Sequence, residues 1–140
     1  MMNSSATVSA ELPLRLVVPD HGSVALMASL YYSADDPFAI RIVFQVGTDE
    51  AVEWIFARDL LAVGMEGPAG AGDVQVWPAD EHGHELLNIA LSSPCGEAHF
   101  EARRSSVAAF LSRTYEVIAP GHEADHLDFD SELDELLWRA

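Results

Sequence analysis

The chain has 140 residues and a mass of 15.2 kDa, about one domain on the usual ~100–200 residues per domain, and its 49% hydrophobic content excludes a wholly disordered chain. Twenty-three acidic residues against seven basic ones leave a formal charge of −16, and every basic residue is an arginine: Arg15, Arg41, Arg58, Arg103, Arg104, Arg113 and Arg139. Phosphate backbones and anionic lipid surfaces are gripped by Lys and Arg, so a chain this acidic is expected to be repelled by DNA, RNA and such membranes.

Across residues 7–18, Val8, Leu12, Leu14, Leu16 and Val18 recur at even spacing, which predicts a strand with one buried face, broken by Pro19, Asp20 and Gly22. A second strand is predicted over residues 24–32, ending at the turn residues Asp35, Asp36 and Pro37. Phe38, Ile40, Ile42, Phe44 and Val46 then alternate with smaller or polar residues, including Arg41 and Gln45, as a third strand. Residues 47–50 turn this into a fourth, over residues 51–57. At Arg58 the alternation stops, and residues 58–63 read as a short helix ending at Gly64. Residues 67–72 are a glycine-rich connector lacking the Lys-Ser/Thr of a phosphate-binding loop.

Three more strands are predicted over residues 73–77, 85–91 and 96–102, separated by Pro78 and by Pro94-Cys95-Gly96. Val107, Phe110, Leu111, Tyr115 and Ile118 recur at helical spacing, with Ser105 or Ser106 as cap and Pro120-Gly121 as stop. Ser131 and Asp134 fit a helix-starting box, and Leu133, Leu136 and Leu137 give that last helix an apolar stripe. Residues 119–140 thus read as an acidic linker and C-terminal helix of one domain spanning residues 1–140. Residues 121–140 hold seven acidic side chains and one arginine. Both strand blocks pass from an aromatic strand through Ala-Arg into a helix, Phe56-Ala57-Arg58 and Phe100-Glu101-Ala102-Arg103. That suggests a duplication, although such short matches also arise by chance.

The motifs do not point to catalysis. His122-Glu123-Ala124-Asp125-His126 matches the zinc-protease string H-E-x-x-H. There, two histidines one helical turn apart grip zinc while the glutamate activates water. Here Pro120-Gly121 precedes the string and the third histidine of the longer motif is missing, so a solvated acidic linker is expected and no metal is assigned to His122 and His126. His82-Gly83-His84 reads as a surface turn, and Cys95 as a small turn residue without a neighbouring base. One cysteine also excludes an intramolecular disulfide and a four-cysteine zinc site. No G-x-S-x-G turn is present. Trp54 and Trp77 are expected in the core. The first residues show no basic segment or apolar run, and no stretch approaches ~18 apolar residues. A cytoplasmic protein without membrane insertion is expected.

Several strings, in order, carry a resemblance. They are residues 14–18 (LRLVV), 52–61 (VEWIFARDLL), 72–78 (GDVQVWP), 89–94 (IALSSP) with 96–98 (GEA), and 110–114 (FLSRT). Together they resemble the SsgA-like family of sporulation and cell-division proteins from sporulating actinobacteria, over nearly the whole chain from Val8, and in particular the members that mark division sites. The resemblance implies an α+β fold similar to Whirly and PC4-like single-strand-binding domains. Two strand-strand-strand-strand-helix halves would form a barrel-like sheet, followed by the C-terminal helix. It implies a homo-oligomer, with a trimer favoured, and no enzymatic activity, cofactor or metal. The implied role is to recruit the tubulin-like GTPase FtsZ to future septa and promote Z-ring assembly, together with an SsgA-like partner protein, in the cytoplasm at the division septum. No partner-binding residue carries over from the family. A second function on the same fold is single-stranded nucleic-acid binding, which the acidic balance opposes.

Overall fold

The computed structural model describes residues 6–45 and 50–126; the helix expected near Leu133, Leu136 and Leu137 lies outside them. The elements run β1 (Thr7–Val18), β2 (Gly22–Ser33), β3 (Asp36–Gln45), β4 (Ala51–Ala57), α1 (Arg58–Gly64), β5 (Val74–Glu81), β6 (His84–Ser93), β7 (Gly96–Arg103), α2 (Arg104–Val117) and a 3-10 turn, Glu123–His126. The strands form one antiparallel sheet in the order β4-β3-β2-β1-β7-β6-β5. This α+β arrangement follows from the alternation. Leu12, Leu14, Leu30, Ile42 and Phe44 point to one face of the first four strands, and Val76, Leu87, Ile89 and Phe100 to the same face of the last three.

The sheet curls into a half-barrel around that face. β3 and β7 are three strand spacings apart, about 14 Å in a flat sheet, yet the stacked rings of Phe44 and Phe100 have centroids 4.5 Å apart. The helices fill the opening with Leu61 from α1 and Val107, Phe110 and Leu111 from α2. A three-residue ladder, Leu14 to Leu16 against Phe100 to Ala102, joins the two blocks.

Three details depart from expectation. β5 does not stop at Pro78 but runs through it to Glu81. β5 is an edge strand, so the N–H that proline lacks can lie on the side that pairs with no named strand. The second block has three strands where four were expected. In place of the fourth, Ala69 and Val76 exchange two backbone hydrogen bonds, of 2.8 and 3.0 Å, as a single bridge. Neither Ser105 nor Ser106 caps α2. The N-cap is Arg103, with no side-chain capping bond, because β7 runs into the helix without a turn.

The two blocks are nonetheless related by more than a short string. The first residue of each helix caps the end of the other. Arg58 donates to the Ile118 carbonyl just past α2 and to Glu123 beyond it, each at 2.8 Å. Arg104 donates to the Met65 carbonyl just past α1 at 3.2 Å and to Glu66 at 3.1 Å. A helix C-terminus exposes unpaired carbonyls and a partial negative charge, which an arginine fork satisfies. The exchange of caps supports a duplicated architecture.

Candidate functional site

Arg58 is the largest buried polar group of the domain, and its side chain is 2% exposed. The guanidinium lies between two aromatic faces, 4.8 Å from the Tyr32 ring centroid and 4.9 Å from that of Tyr115. Besides Ile118 and Glu123 it reaches the carbonyl and hydroxyl of Thr114, at 3.3 and 3.4 Å. Tyr32 in turn donates its hydroxyl proton to the Pro37 carbonyl at 2.8 Å. The hydrogen bond from Arg58 holds the Glu123 carboxyl below the usual carboxylate range. Burial pushes both tyrosines up, with Arg58 opposing it.

This arrangement decides the fate of the H-E-x-x-H string. Glu123, expected in a solvated linker, instead turns inward: its side chain is 14% exposed and committed to Arg58. A base engaged by an arginine is poorly placed to activate water. The string forms a 3-10 turn, not a mid-helix α-helical face, and His122 Nδ1 lies 3.0 Å from Asp125 Oδ2. Among the described residues, no group of three His, Cys, Asp or Glu side chains is placed to hold a metal ion. His82 and Gly83 form the two-residue β5–β6 turn, both at positive φ, with His82 and His84 exposed. Cys95 is exposed in the β6–β7 turn, where its N–H donates to Ser93 Oγ at 3.2 Å.

The outer face of the sheet is where the two blocks diverge. Ser9, Tyr31, Arg41 and Ile55 form one cross-strand row over β1 to β4. Arg41 lies 4.9 Å over the Tyr31 ring and pairs with Glu53 at 2.9 Å. Ile55 is 58% exposed and Tyr31 38%, beside an open groove of about 390 Å³. The matching row of the second block is Trp77, Asn88 and Glu101. There His99 Nε2 donates to Asn88 Oδ1 at 2.7 Å, and the Trp77 ring tilts against His99 at 5.4 Å. Trp77 is therefore a half-buried outer-face residue and not core as expected, whereas Trp54 packs against the core. The second block covers its own outer face, while the first presents an aromatic ring, an aliphatic side chain and an arginine to solvent. These are residue types suited to protein contact. Arg41 is paired with Glu53, so the row itself carries no net charge, while Asp36 lines the end of the groove.

A second groove, about 820 Å³, follows the seam between the blocks, with Arg15, Arg103, His82, His84 and Glu101 along it. Its charges are of both signs and select no single class of ligand. Sequence reasoning had no means of assigning Arg58 to a buried centre. For the exposed row, alternation had already placed Arg41 opposite the apolar face of β3.

A family model described as "Streptomyces sporulation and cell division protein, SsgA" matches residues 26–123. The chain is 49% identical over 98% of its length to the sporulation-specific cell division protein SsgB of Thermobifida fusca, covering 99% of that protein. It is 52% identical over 94% of its length to the SsgB of Frankia casuarinae, covering 92% of it. A solved structure, described under "Mutations in SsgB correlate to longitudinal cell division during sporulation of Streptomyces coelicolor", superposes with a TM-score of 0.86 at 47% identity. That match spans 91% of this chain and all of the other.

Proposed function

The chain belongs to the SsgA family of sporulation and cell division proteins, and from that premise we propose that it is a non-enzymatic adaptor that recruits FtsZ to future septum sites and promotes Z-ring assembly. A role in sporulation cell division rests on one observation, the near full-length similarity to proteins named for that process. The step to FtsZ is our reading. Its physical support is the unequal outer face, where Tyr31, Arg41 and Ile55 offer an apolar, charge-balanced patch on a chain of net charge −16. An anionic partner meets least repulsion at such a patch.

The adaptor acts as a homo-oligomer, a trimer, beside an SsgA-like partner protein at the septum. The exposed Phe38, Val52 and Val63 supply further apolar surface that subunit contacts would cover. No helix among the described residues is long and apolar enough to cross a membrane; in this reading protein partners place the chain at the septum. The Whirly-like kinship implied by the family belongs to this proposal as shared architecture, not shared activity. Among the described residues, three of the six arginines are paired with carboxylates, Arg41 with Glu53, Arg58 with Glu123 and Arg104 with Glu66. Those pairs do not serve a phosphate track, and the net charge of −16 opposes one.

The test is co-sedimentation of the purified chain with FtsZ polymers, run beside a filter-binding titration with single-stranded oligonucleotides. Stoichiometric pelleting without oligonucleotide retention is expected. Sub-micromolar, salt-sensitive oligonucleotide binding without pelleting would overturn the proposal in favour of a nucleic-acid-binding regulator.

A further inference from the structure

The segment that follows α2 is attached to the domain in an unusual way. Ile118, its root, is buried, but Ala119, Pro120, Gly121, His122, Ala124 and Asp125 are all exposed. Glu123 is the one side chain among residues 119–125 that turns inward. The backbone hydrogen bonds of the segment are local, His122 N–H to the Ala119 carbonyl at 3.0 Å and Asp125 N–H to the His122 carbonyl at 3.1 Å. Bonds of this kind maintain a turn's shape without fixing its position. No apolar side chain of residues 119–125 is buried, so the hydrophobic effect contributes little to that position. The turn lies alongside β3, and the 2.8 Å contact of Glu123 with Arg58 is its buried side-chain attachment.

We propose that residues 119–126 are a strap, latched by Glu123 onto the Tyr32–Arg58–Tyr115 stack, that opens as a unit while the sheet stays folded. Arg58 is what keeps opening local. When Glu123 leaves, the guanidinium retains the Ile118 and Thr114 carbonyls and both tyrosine faces. The end of α2 therefore keeps its cap, and the newly unpaired groups are one carboxylate and one edge of the guanidinium, both of which water reaches once the strap lifts. Segments with few buried apolar contacts and exposed backbone bonds open at much lower cost than core strands. The strap also leads into residues 127–140, which carry five acidic side chains and one arginine.

The test is limited subtilisin digestion of the full chain, with cleavage sites read by mass spectrometry, for the natural protein and for Glu123→Ala and Glu123→Gln. When opening is fast relative to cleavage, the cutting rate follows the open population. Glu123→Ala should raise cleavage within residues 119–126 about tenfold or more, the scale of one charge-assisted hydrogen bond. Glu123→Gln, which keeps an oxygen acceptor for Arg58, should raise it less. Cleavage within β1, β2 and β6 should not change in either variant. Unchanged cutting of residues 119–126 in both variants would overturn the proposal, because the contact would then not hold the strap. New cuts spread through the strands, or failure of both variants to fold, would overturn it equally. Glu123 would then be a brace of the whole domain.

Discussion

The exchanged helix caps give two arginines the same architectural task in different surroundings, and burial should decide what each is worth. Consider Arg58→Met and Arg104→Met, which keep an apolar stem and remove the guanidinium. Arg58→Met abolishes the bonds to Ile118, Thr114 and Glu123 and both tyrosine contacts. The Glu123 carboxylate can hydrate as the strap lifts, but the two buried carbonyl bonds and the ring contacts are lost outright, which costs about 3–5 kcal/mol. Arg104 is 29% exposed and its partner Glu66 79%. Solvent takes over much of that interaction, so its loss should cost about 1 kcal/mol or less. Urea unfolding followed by tryptophan fluorescence reads both. With a slope of about 2 kcal/mol per molar urea, the midpoint should fall by roughly 1.5–2.5 M for Arg58→Met and by about 0.5 M or less for Arg104→Met. Equal shifts, or a larger one for Arg104→Met, would refute the claim that Arg58 is the buried centre of this fold.

Gly64→Ala should destabilise by about 1–3 kcal/mol on thermal melting, although alanine is the better helix former, because the added Cβ would lie 2.6 Å from Val76 Cβ; a stabilised variant would contradict the close packing of α1 on β5. The Glu123 carboxyl is lowered by its bond from Arg58, so its contribution to stability is complete above the ordinary glutamate range and lost as pH falls through the lowered value. Tyr32 and Tyr115 are raised by burial, so their contribution is complete below the ordinary tyrosine value and lost as pH rises through the raised one. A pH series of urea midpoints should therefore fall at both ends, and removal of the acid-side loss by Glu123→Gln identifies its source. Ile55→Asp should weaken FtsZ binding at least about tenfold while light scattering reports an unchanged oligomer mass; a fall in mass instead would make this row a contact between copies of the chain.

The strands were legible because a half-buried antiparallel sheet writes itself as alternation, and β1 and β3 show it plainly. The end of β5 was not legible, since Pro78 breaks a central strand but not an edge strand, and edge position is a property of the assembled sheet. The start of α2 was misread for a related reason. Ser105 and Ser106 look like caps in isolation, but pairing of β7 up to Arg103 fixes where the helix begins. Arg58 stands in the sequence as part of a repeated Ala-Arg string without a role, because its hydrogen-bond partners lie between 56 and 65 residues away in sequence. Composition alone makes Glu123 read as a solvated tail residue, and its inward turn depends on that same distant arginine. Trp77 was assigned to the core by residue type, while its register opposite Asn88 sets it on the outer face.

The central claim, an acidic adaptor that binds FtsZ through an apolar, charge-balanced patch, is tested most directly by the affinity of the purified chain for FtsZ in a salt series. FtsZ proteins are themselves acidic, so the partners approach against repulsion. Salt screens that repulsion, with a Debye length of roughly 8 Å at about 0.15 M. Binding should therefore hold or strengthen between low and moderate salt, mainly through faster association. The absence of binding, or an affinity that falls steadily over the same range, would contradict the account.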